Sequence, residues 1–166
     1  MRIVATAFAC TVMLAGCGLQ QELSSVPSLG NGPTGPATPI TAPTLSGLPF
    51  VWSSTRGHVV VIDFWGSWCS PCNAEQPDLN RLGAQWAPKG VLFLGVDEQE
   101  SSANGAAYEQ HYNVPYPSVN DASEVIASEY NVIDPPTVII VDSKGNIVDR
   151  FLGTLSGVSA DLTRLT

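Results

Sequence analysis

The strongest constraint on the fold is an apolar run that leads directly into two closely spaced cysteines and then into a helical pattern. Residues 59–64 are nearly all β-branched or aromatic, which predicts a strand buried on both faces of a sheet. From Cys72 onward, apolar residues recur at three- and four-residue steps and stop before Pro88, which predicts an amphipathic helix. Cys69 and Cys72 therefore fall at a junction between a buried strand and a helix.

The rest of this part of the chain alternates between strand and helix patterns. The predicted strands cover residues 91–96, 116–119, 137–141 and 147–152, and the predicted helices cover 101–112, 123–130 and 156–165. The turn-rich segment 142–146 is typical of an antiparallel hairpin between the last two strands. The order of elements predicts an α/β fold with a mixed central sheet flanked by helices.

The N-terminus has the pattern of an export signal. Arg2 is its only charge and residues 3–14 are nearly all apolar or small, which is typical of a short secretory segment and is too short to span a bilayer as a helix. The tetrapeptide that ends in Cys17 (Leu-Ala-Gly-Cys) resembles the lipobox of bacterial lipoproteins. That resemblance implies cleavage after residue 16 and lipid on Cys17; the alternative is an ordinary signal peptide that is cut elsewhere.

Composition divides the remainder of the chain in two. Residues 17–44 are dense in Gly, Pro, Ser and Thr and carry one charge, Glu22, so we predict a flexible tether there and a single folded domain over 45–166. The formal net charge of -8 argues against nucleic acid or anionic lipid headgroups as partners. Attachment to the membrane would then come from the acyl chains.

The two central cysteines predict redox chemistry. A thiolate at Cys69 would be stabilised by the unpaired N–H groups and the dipole of the helix N-terminus, so we assign Cys69 as the attacking thiol and the more buried Cys72 as the resolving thiol. A zinc site lacks further Cys or paired His ligands, and a purely structural disulfide across so short a loop would contribute little stability. We therefore expect no metal and no cofactor.

These residues match a known family. Residues 61–72, together with Pro77, resemble the active-site segment of thioredoxins. The downstream pattern from Glu75 to Leu79, and residues 130–137, are more similar to the exported TlpA, ResA and CcmG group of thiol-disulfide oxidoreductases. The resemblance implies a thioredoxin-like fold in which the helix and strand between residues 101 and 119 form the insertion of that group.

Two carboxylates near the cysteines are candidate catalytic groups. Asp63 lies in an otherwise apolar strand, where burial of a carboxylate is costly or raises its pKa. By resemblance to thioredoxin, Asp63 moves a proton to or from Cys72; the alternative is a carboxylate satisfied by backbone donors. Glu75 lies one helical turn beyond Cys72, where the resemblance implies that it tunes the thiols, and the alternative is a solvated charge favoured by the helix dipole.

The candidate substrate-binding residues are Trp68, Pro135 and Pro136. Pro136 matches the cis-proline of the family, which lies beside the cysteines and keeps a strand open to substrate. The preceding residue is also a proline, Pro135, which has no N–H to offer an extended substrate; the alternative is a rigid double-proline turn with trans bonds. Trp68 is expected to shield the thiols and to offer an apolar contact.

The sequence thus predicts an enzyme anchored on the outer side of the cell membrane. A monomer would reduce disulfides of exported proteins, by resemblance including the haem-binding cysteines of apocytochrome c, and a membrane electron donor would recharge it. Alternatives are an oxidant that makes disulfides or a copper chaperone that uses the dithiol as a soft-metal site. A peroxidase is disfavoured because peroxiredoxin signatures around the cysteine are missing.

Overall fold

A computed structural model of the chain describes residues 34–166, which form strands and helices in alternation. The strands are β1 (Gly35–Pro36), β2 (Val60–Trp65), β3 (Leu92–Glu98), β4 (Ser118–Asp121), β5 (Thr137–Val141) and β6 (Asn146–Leu152), and the helices are α1 (Ser70–Trp86), α2 (Ser102–Tyr112), α3 (Val125–Glu129) and α4 (Val158–Leu165). The predicted signal peptide, the lipidation of Cys17 and the tether up to residue 33 lie outside the described residues.

The strands form one six-stranded mixed sheet in the order β1-β6-β5-β2-β3-β4. Strand β2 lies in the middle, parallel to β3 and antiparallel to β5, and all six of its residues are buried. This burial explains why the sequence of β2 is apolar at every position except Asp63 rather than alternating. The predicted α/β class with a mixed sheet and flanking helices is confirmed.

The core has one layer on each face of the sheet. On one face, Ile62 and Phe64 pack with α3 and with the N-terminal segment; on the other, Val61 packs with Leu79 of α1 and Leu162 of α4. Each such side chain gains about 1.5–3 kcal/mol from complete burial. The alternation along β2 fixes which residues face α1, and Asp63 shares the parity of Val61.

The folded domain begins earlier than the sequence predicts. Residues 35–44 belong to it, since Gly35 pairs with Ile147 at the sheet edge, Ile40 is 2% exposed, and the Tyr130 hydroxyl donates to the Thr38 carbonyl at 2.6 Å. The predicted tether over 17–44 and the domain boundary at residue 45 are therefore wrong at this end. The sequence gives no signal for this segment, because a two-residue edge strand of glycine and proline and two isolated buried residues, Ala37 and Ile40, show no apolar period.

Helix α2 and strand β4 lie between β3 and α3, where the resemblance places an insertion. Ser101 caps α2, because its hydroxyl accepts the N–H of Asn104 at 3.4 Å. Strand β4 then adds to the edge of the sheet beside β3. Among the described residues, no helix has the length and apolar character that crossing a membrane requires.

Candidate active site

The site is built where β2 ends and α1 begins. Cys69 is the N-cap of α1, with an extended backbone (φ −81°, ψ 103°), and its Sγ accepts the N–H of Cys72 at 3.1 Å. Cys69 and Cys72 are joined by a disulfide with a Cα–Cα distance of 5.2 Å. The sulfur of Cys69 thus lies at the helix N-terminus, where N–H groups and the dipole stabilise a negative charge once the bond is reduced.

The two cysteines are almost equally buried. Cys69 is 4% exposed and Cys72 is 3% exposed, so the expected greater burial of Cys72 is absent. Both pack with Trp65 and Tyr108, because α2 covers this part of the site. The distinction between the two thiols therefore rests on the N-cap position of Cys69 and not on access.

Trp68 is a fixed apolar surface beside the disulfide. Its side chain is half-exposed, and its indole Nε1 donates to the Glu98 carbonyl at 3.0 Å. The ring folds back over Gly66, where a Cβ atom would lie 2.5 Å from Nε1. Glycine at this position is thus required for the indole to occupy its place.

A carboxylate from the segment after β3 holds the loop that carries Cys69. Glu100 accepts the backbone N–H of Ser67 and the Ser67 hydroxyl, each at 2.5 Å. Asn120 of β4 donates to the Glu100 carbonyl at 3.0 Å and to Asp97 at 2.9 Å. Burial and hydrogen bonding to Glu100 raise the pKa of Asp97 to about 8.

Asp63 lies on the face of β2 that meets α1, the helix that begins after Cys69 and contains Cys72. It is 1% exposed, and its Oδ2 accepts the Tyr116 hydroxyl at 3.2 Å, whereas Oδ1 is buried without a hydrogen-bond partner among residues 34–166. Burial, first, and then the charges of Glu75 and Glu98 raise the pKa of Asp63 to about 8, against the lowering effect of Tyr116. Near neutral pH, this carboxyl is therefore mostly protonated and close to its titration point.

Glu75 and Pro136 lie together along a groove next to the disulfide. This groove of about 350 Å³ is also lined by Pro71 and Leu155, and the peptide bond between Pro135 and Pro136 is cis. Burial raises the pKa of Glu75. The groove gives an extended peptide a place beside the sulfurs, with one acidic wall.

Several residues of the site escape detection in the sequence: Ser67, Gln76, Glu98, Glu100, Tyr108 and Tyr116. The sequence does contain a signal for two of these residues, Glu98 and Glu100. Because β2 and β3 are parallel, their carboxyl ends lie at the same edge of the sheet. The acidic segment 97–100 at the end of β3 is therefore expected to lie near Cys69. The tyrosines carry no such signal, since their contacts with α1 depend on how α2 and the segment before β4 pack.

Residues 34–166 contain no group of three or more His, Cys, Asp or Glu side chains arranged to hold a metal ion. Three of the acidic residues near the site, Glu100, Asp97 and Asp63, accept hydrogen bonds from Ser67, Asn120 and Tyr116 respectively.

A mixed sheet, a helix that starts at a CxxC disulfide and a cis-proline beside it define a protein of the thioredoxin-like class. The sequence matches the AhpC/TSA family over residues 33–150. The chain belongs to this family.

Several relatives are named for thiol chemistry. A thiol-disulfide oxidoreductase ResA of Bacillus cereus is 29% identical over 109 residues, which cover 66% of this chain and 63% of that protein. The chain thus spans less than two thirds of the length of this relative. The thioredoxin-like protein YneN of Bacillus subtilis is 32% identical over 117 residues, or 68% of this chain and 67% of that protein.

Solved structures give the same result. A secreted Mycobacterium tuberculosis disulfide oxidoreductase, described as homologous to Escherichia coli DsbE, superposes with a TM-score of 0.67 at 30% identity. The superposition covers 76% of this chain and 96% of that protein. The predicted resemblance to thioredoxin-like proteins of the ResA and CcmG type is confirmed.

Proposed function

We propose that this protein is a thiol-disulfide oxidoreductase that reduces disulfides of exported proteins. The observation that carries the proposal is the Cys69–Cys72 disulfide at the first turn of α1, with Cys69 Sγ in the position that a helix N-terminus favours for an anion. The names of the ResA relatives support the activity. The secreted relative from Mycobacterium tuberculosis supports an extracytoplasmic location.

The reaction begins from the reduced pair. The Cys69 thiolate attacks one sulfur of a client disulfide, so a mixed disulfide forms and the other client sulfur leaves as a thiolate. The client lies in the groove beside Pro136 with its apolar side chains against Trp68. Because Pro135 lacks an N–H, the client is held by one fewer main-chain hydrogen bond than a residue with an N–H would allow.

Resolution needs a base for the second thiol. The Asp63 carboxylate takes the proton of Cys72, and the Cys72 thiolate then attacks Cys69 Sγ. The Cys69–client bond breaks and the client leaves with both sulfurs reduced, while the enzyme keeps the Cys69–Cys72 disulfide. A membrane-bound dithiol donor returns the two electrons.

The acidic surroundings favour the reducing direction. Glu75 and Glu98 both act on the charge state of Asp63. Glu75 lines the groove next to the disulfide, and the Ser70-Pro71 dipeptide between the cysteines carries no cation. Negative charge disfavours thiolates, so it disfavours the reduced enzyme and makes the dithiol a better electron donor. Proposed clients include the haem-binding cysteine pairs of apocytochromes c.

A trapping experiment tests the activity. Cys72→Ser keeps the attacking thiol and removes the resolving one, so exported clients should accumulate as mixed disulfides with Cys69, and Cys69→Ser is the matched control. Apocytochrome c among the trapped proteins would support that client class. A Cys72→Ser variant that traps no more protein than Cys69→Ser would contradict the activity.

The proposed anchor is lipid on Cys17 of a monomer that faces away from the cytoplasm. Intact mass spectrometry of the membrane-extracted protein should give an N-terminus at Cys17 with added acyl mass. Cys17→Ser should move the protein from the membrane fraction to the soluble exported fraction. An N-terminus elsewhere, without acyl mass, would overturn this part of the proposal.

A further inference from the structure

A chain of buried hydrogen bonds connects Asp63 with the first turns of α1. The Tyr116 hydroxyl donates to Asp63 Oδ2 at 3.2 Å and accepts from Gln76 Nε2 at 2.9 Å. The Tyr108 hydroxyl lies 3.3 Å from both Gln76 Oε1 and the carbonyl oxygen of Cys72. Gln76 is one turn beyond Cys72 in α1 and is 1% exposed, so the chain runs directly behind the resolving cysteine.

The titratable groups around Asp63 come from several elements and act in opposite directions. Glu75 of α1 and Glu98 of β3 disfavour the ionised carboxyl through their charge, whereas the hydrogen bond from Tyr116 favours it. Burial, and then the charge of Asp63, raise the pKa of Tyr108 of α2 in turn. Cys72 of α1 adds a thiol to this set when the disulfide is reduced.

Tyr116 is itself held in place. Its ring packs on Phe93 with a centroid separation of 5.7 Å, and the residue is mostly buried. Because Gln76 Nε2 donates to the hydroxyl oxygen, the hydroxyl proton is directed toward Asp63. The aromatic ring and the hydroxyl thus have separate tasks, and removal of the hydroxyl alone leaves the packing of the ring in place.

We propose that Tyr116 is a positioning residue for the resolving step. Its hydroxyl orients the carboxyl of Asp63 and stabilises the ionised form of that carboxyl. The inference rests on the proposed role of Asp63 as the proton acceptor for Cys72. With Tyr116 on Oδ2, the remaining oxygen, Oδ1, has no partner among residues 34–166 and is free to take the proton. The proton moves from Cys72 Sγ to Asp63, and the electron pair left on Cys72 Sγ forms the bond to Cys69 Sγ, while the bond between Cys69 and the client breaks and the client sulfur leaves as a thiolate.

The segment between β3 and α3 therefore contributes to the resolving step. Tyr116 comes from this segment, and its hydroxyl is the hydrogen-bond donor to the buried carboxyl of Asp63. A hydrogen bond to the ionised form is one of the means by which proteins keep such a group able to titrate.

The test is the pH dependence of resolution in Tyr116→Phe. In stopped-flow measurements, the reduced full chain reacts with an aromatic disulfide, and release of the aromatic thiol from the mixed disulfide reports attack by Cys72. We expect the apparent pKa of this step to rise by about one unit, so the rate falls about tenfold on the acid limb and is unchanged on the alkaline plateau. Tyr130→Phe is the matched control, because it removes a tyrosine hydroxyl that donates to the Thr38 carbonyl in the core layer on the other face of the sheet, and its profile should keep the wild-type pKa.

Asp63→Asn distinguishes a failure of the proposed role of Asp63 from a failure of the proposed role of Tyr116. If Asp63→Asn keeps the wild-type profile, the proton-accepting role of Asp63 falls and the role of Tyr116 falls with it. If Asp63→Asn changes the profile and Tyr116→Phe does not, only the inference on Tyr116 is overturned. A shift of equal size in Tyr130→Phe overturns it as well. So does a further shift of the profile when Tyr116→Phe is added to Asp63→Asn, because the effect of Tyr116 would then not act through Asp63.

A replacement with the opposite effect removes any dependence on how well Tyr116→Phe folds. Incorporation of 3-fluorotyrosine at position 116 gives a more acidic hydroxyl and therefore a stronger donor to Asp63. The apparent pKa of resolution should then move below the wild-type value. A shift to higher pH, or an unchanged profile, would contradict the inference.

Discussion

Glu100 accepts two hydrogen bonds from Ser67, one from its backbone N–H and one from its hydroxyl, both at 2.5 Å. Ser67 lies two residues before Cys69, and Glu98, two residues before Glu100, accepts the indole N–H of Trp68 through its carbonyl oxygen. The segment at the end of β3 therefore fixes two successive residues of the loop that presents the attacking sulfur. Charge-assisted hydrogen bonds such as those to Glu100 are about twice as strong as neutral ones.

Glu100→Gln should slow the attack of Cys69 on a client disulfide by roughly tenfold, because an amide cannot accept from both donors of Ser67 and small displacements of a reacting group are costly. The rate of mixed-disulfide formation at constant pH checks this expectation. Glu124→Gln is the control, since it removes an equal charge from an exposed residue that contacts the Gln99 side chain. Equal effects of the two variants would show that charge, and not the position of the loop, controls the rate.

The stability of the oxidised protein should fall as the pH rises from about 4 to about 8. The pKa of Asp63 and that of Asp97 are raised from 3.8 to about 8, and that of Glu98 is raised from 4.5 to about 7. The folded state therefore binds more protons than the unfolded state in this range, and each pKa unit corresponds to about 1.4 kcal/mol per group, as an upper bound. Stabilisation by the neutral acids is complete below the unfolded pKa values and is lost once the pH passes the folded ones.

Urea unfolding at pH 5 and at pH 9 measures this dependence. Asp63→Asn cannot ionise, so the difference in the free energy of unfolding between the two pH values should be smaller than in the wild type. Asp142→Asn is the control, because hydrogen bonds from residues 144 and 146 lower the pKa of Asp142 from its ordinary 3.8, so Asp142 is ionised in the folded and unfolded states at both pH values and its removal should leave the difference unchanged. A stability that increases from pH 5 to pH 9 would contradict the burial of protonated acids.

Glu75→Gln should move the acid limb of the resolution profile to lower pH. The charge of Glu75 is, after burial, the largest cause that raises the pKa of Asp63, and its removal makes the carboxylate easier to form. Asp78→Asn is the matched control on the same helix, because Asp78 is exposed and forms an ion pair with Arg81. If Glu75→Gln and Asp78→Asn give the same profile, Glu75 has no specific effect on Asp63.

Pro135→Val should lower the KM for a peptide disulfide by a few-fold, because the new N–H can pair with the backbone of an extended client, and a hydrogen bond contributes about 0.5–1.5 kcal/mol net. Steady-state reduction of the peptide measures the effect. Pro115→Val, at a proline in a different groove, is the control. An unchanged KM in Pro135→Val would indicate that clients make no main-chain contact at this position.

The elements that the sequence predicts well are those with a strong period or a local signal. Strand β5 (Thr137–Val141) and helix α2 (Ser102–Tyr112) agree closely with the strand predicted over 137–141 and the helix predicted over 101–112. The start of the domain at Gly35 escapes detection, because a two-residue edge strand held by backbone pairing leaves no apolar pattern.

The candidate site likewise contains residues that the sequence identifies and residues that it does not. The cysteine pair and the buried Asp63 are visible in the sequence, since a carboxylate in an apolar strand is conspicuous. Tyr116 is 53 residues away from Asp63 along the chain, and Ser67 and Glu100 are 33 residues apart. Contacts of this kind depend on the three-dimensional packing of α2 and of the segment after β3, which no local period encodes.

The most direct measurement of the central claim is the equilibrium of the full chain with a series of thiol–disulfide buffers, in which the free thiols of Cys69 and Cys72 are quantified after acid quenching. We expect a single two-electron transition, with a potential nearer to that of thioredoxin, at about −270 mV, than to that of the oxidant DsbA, at about −120 mV. A potential near the DsbA value would reverse the proposed direction of electron flow. A pair that does not exchange with any buffer would contradict the account as a whole.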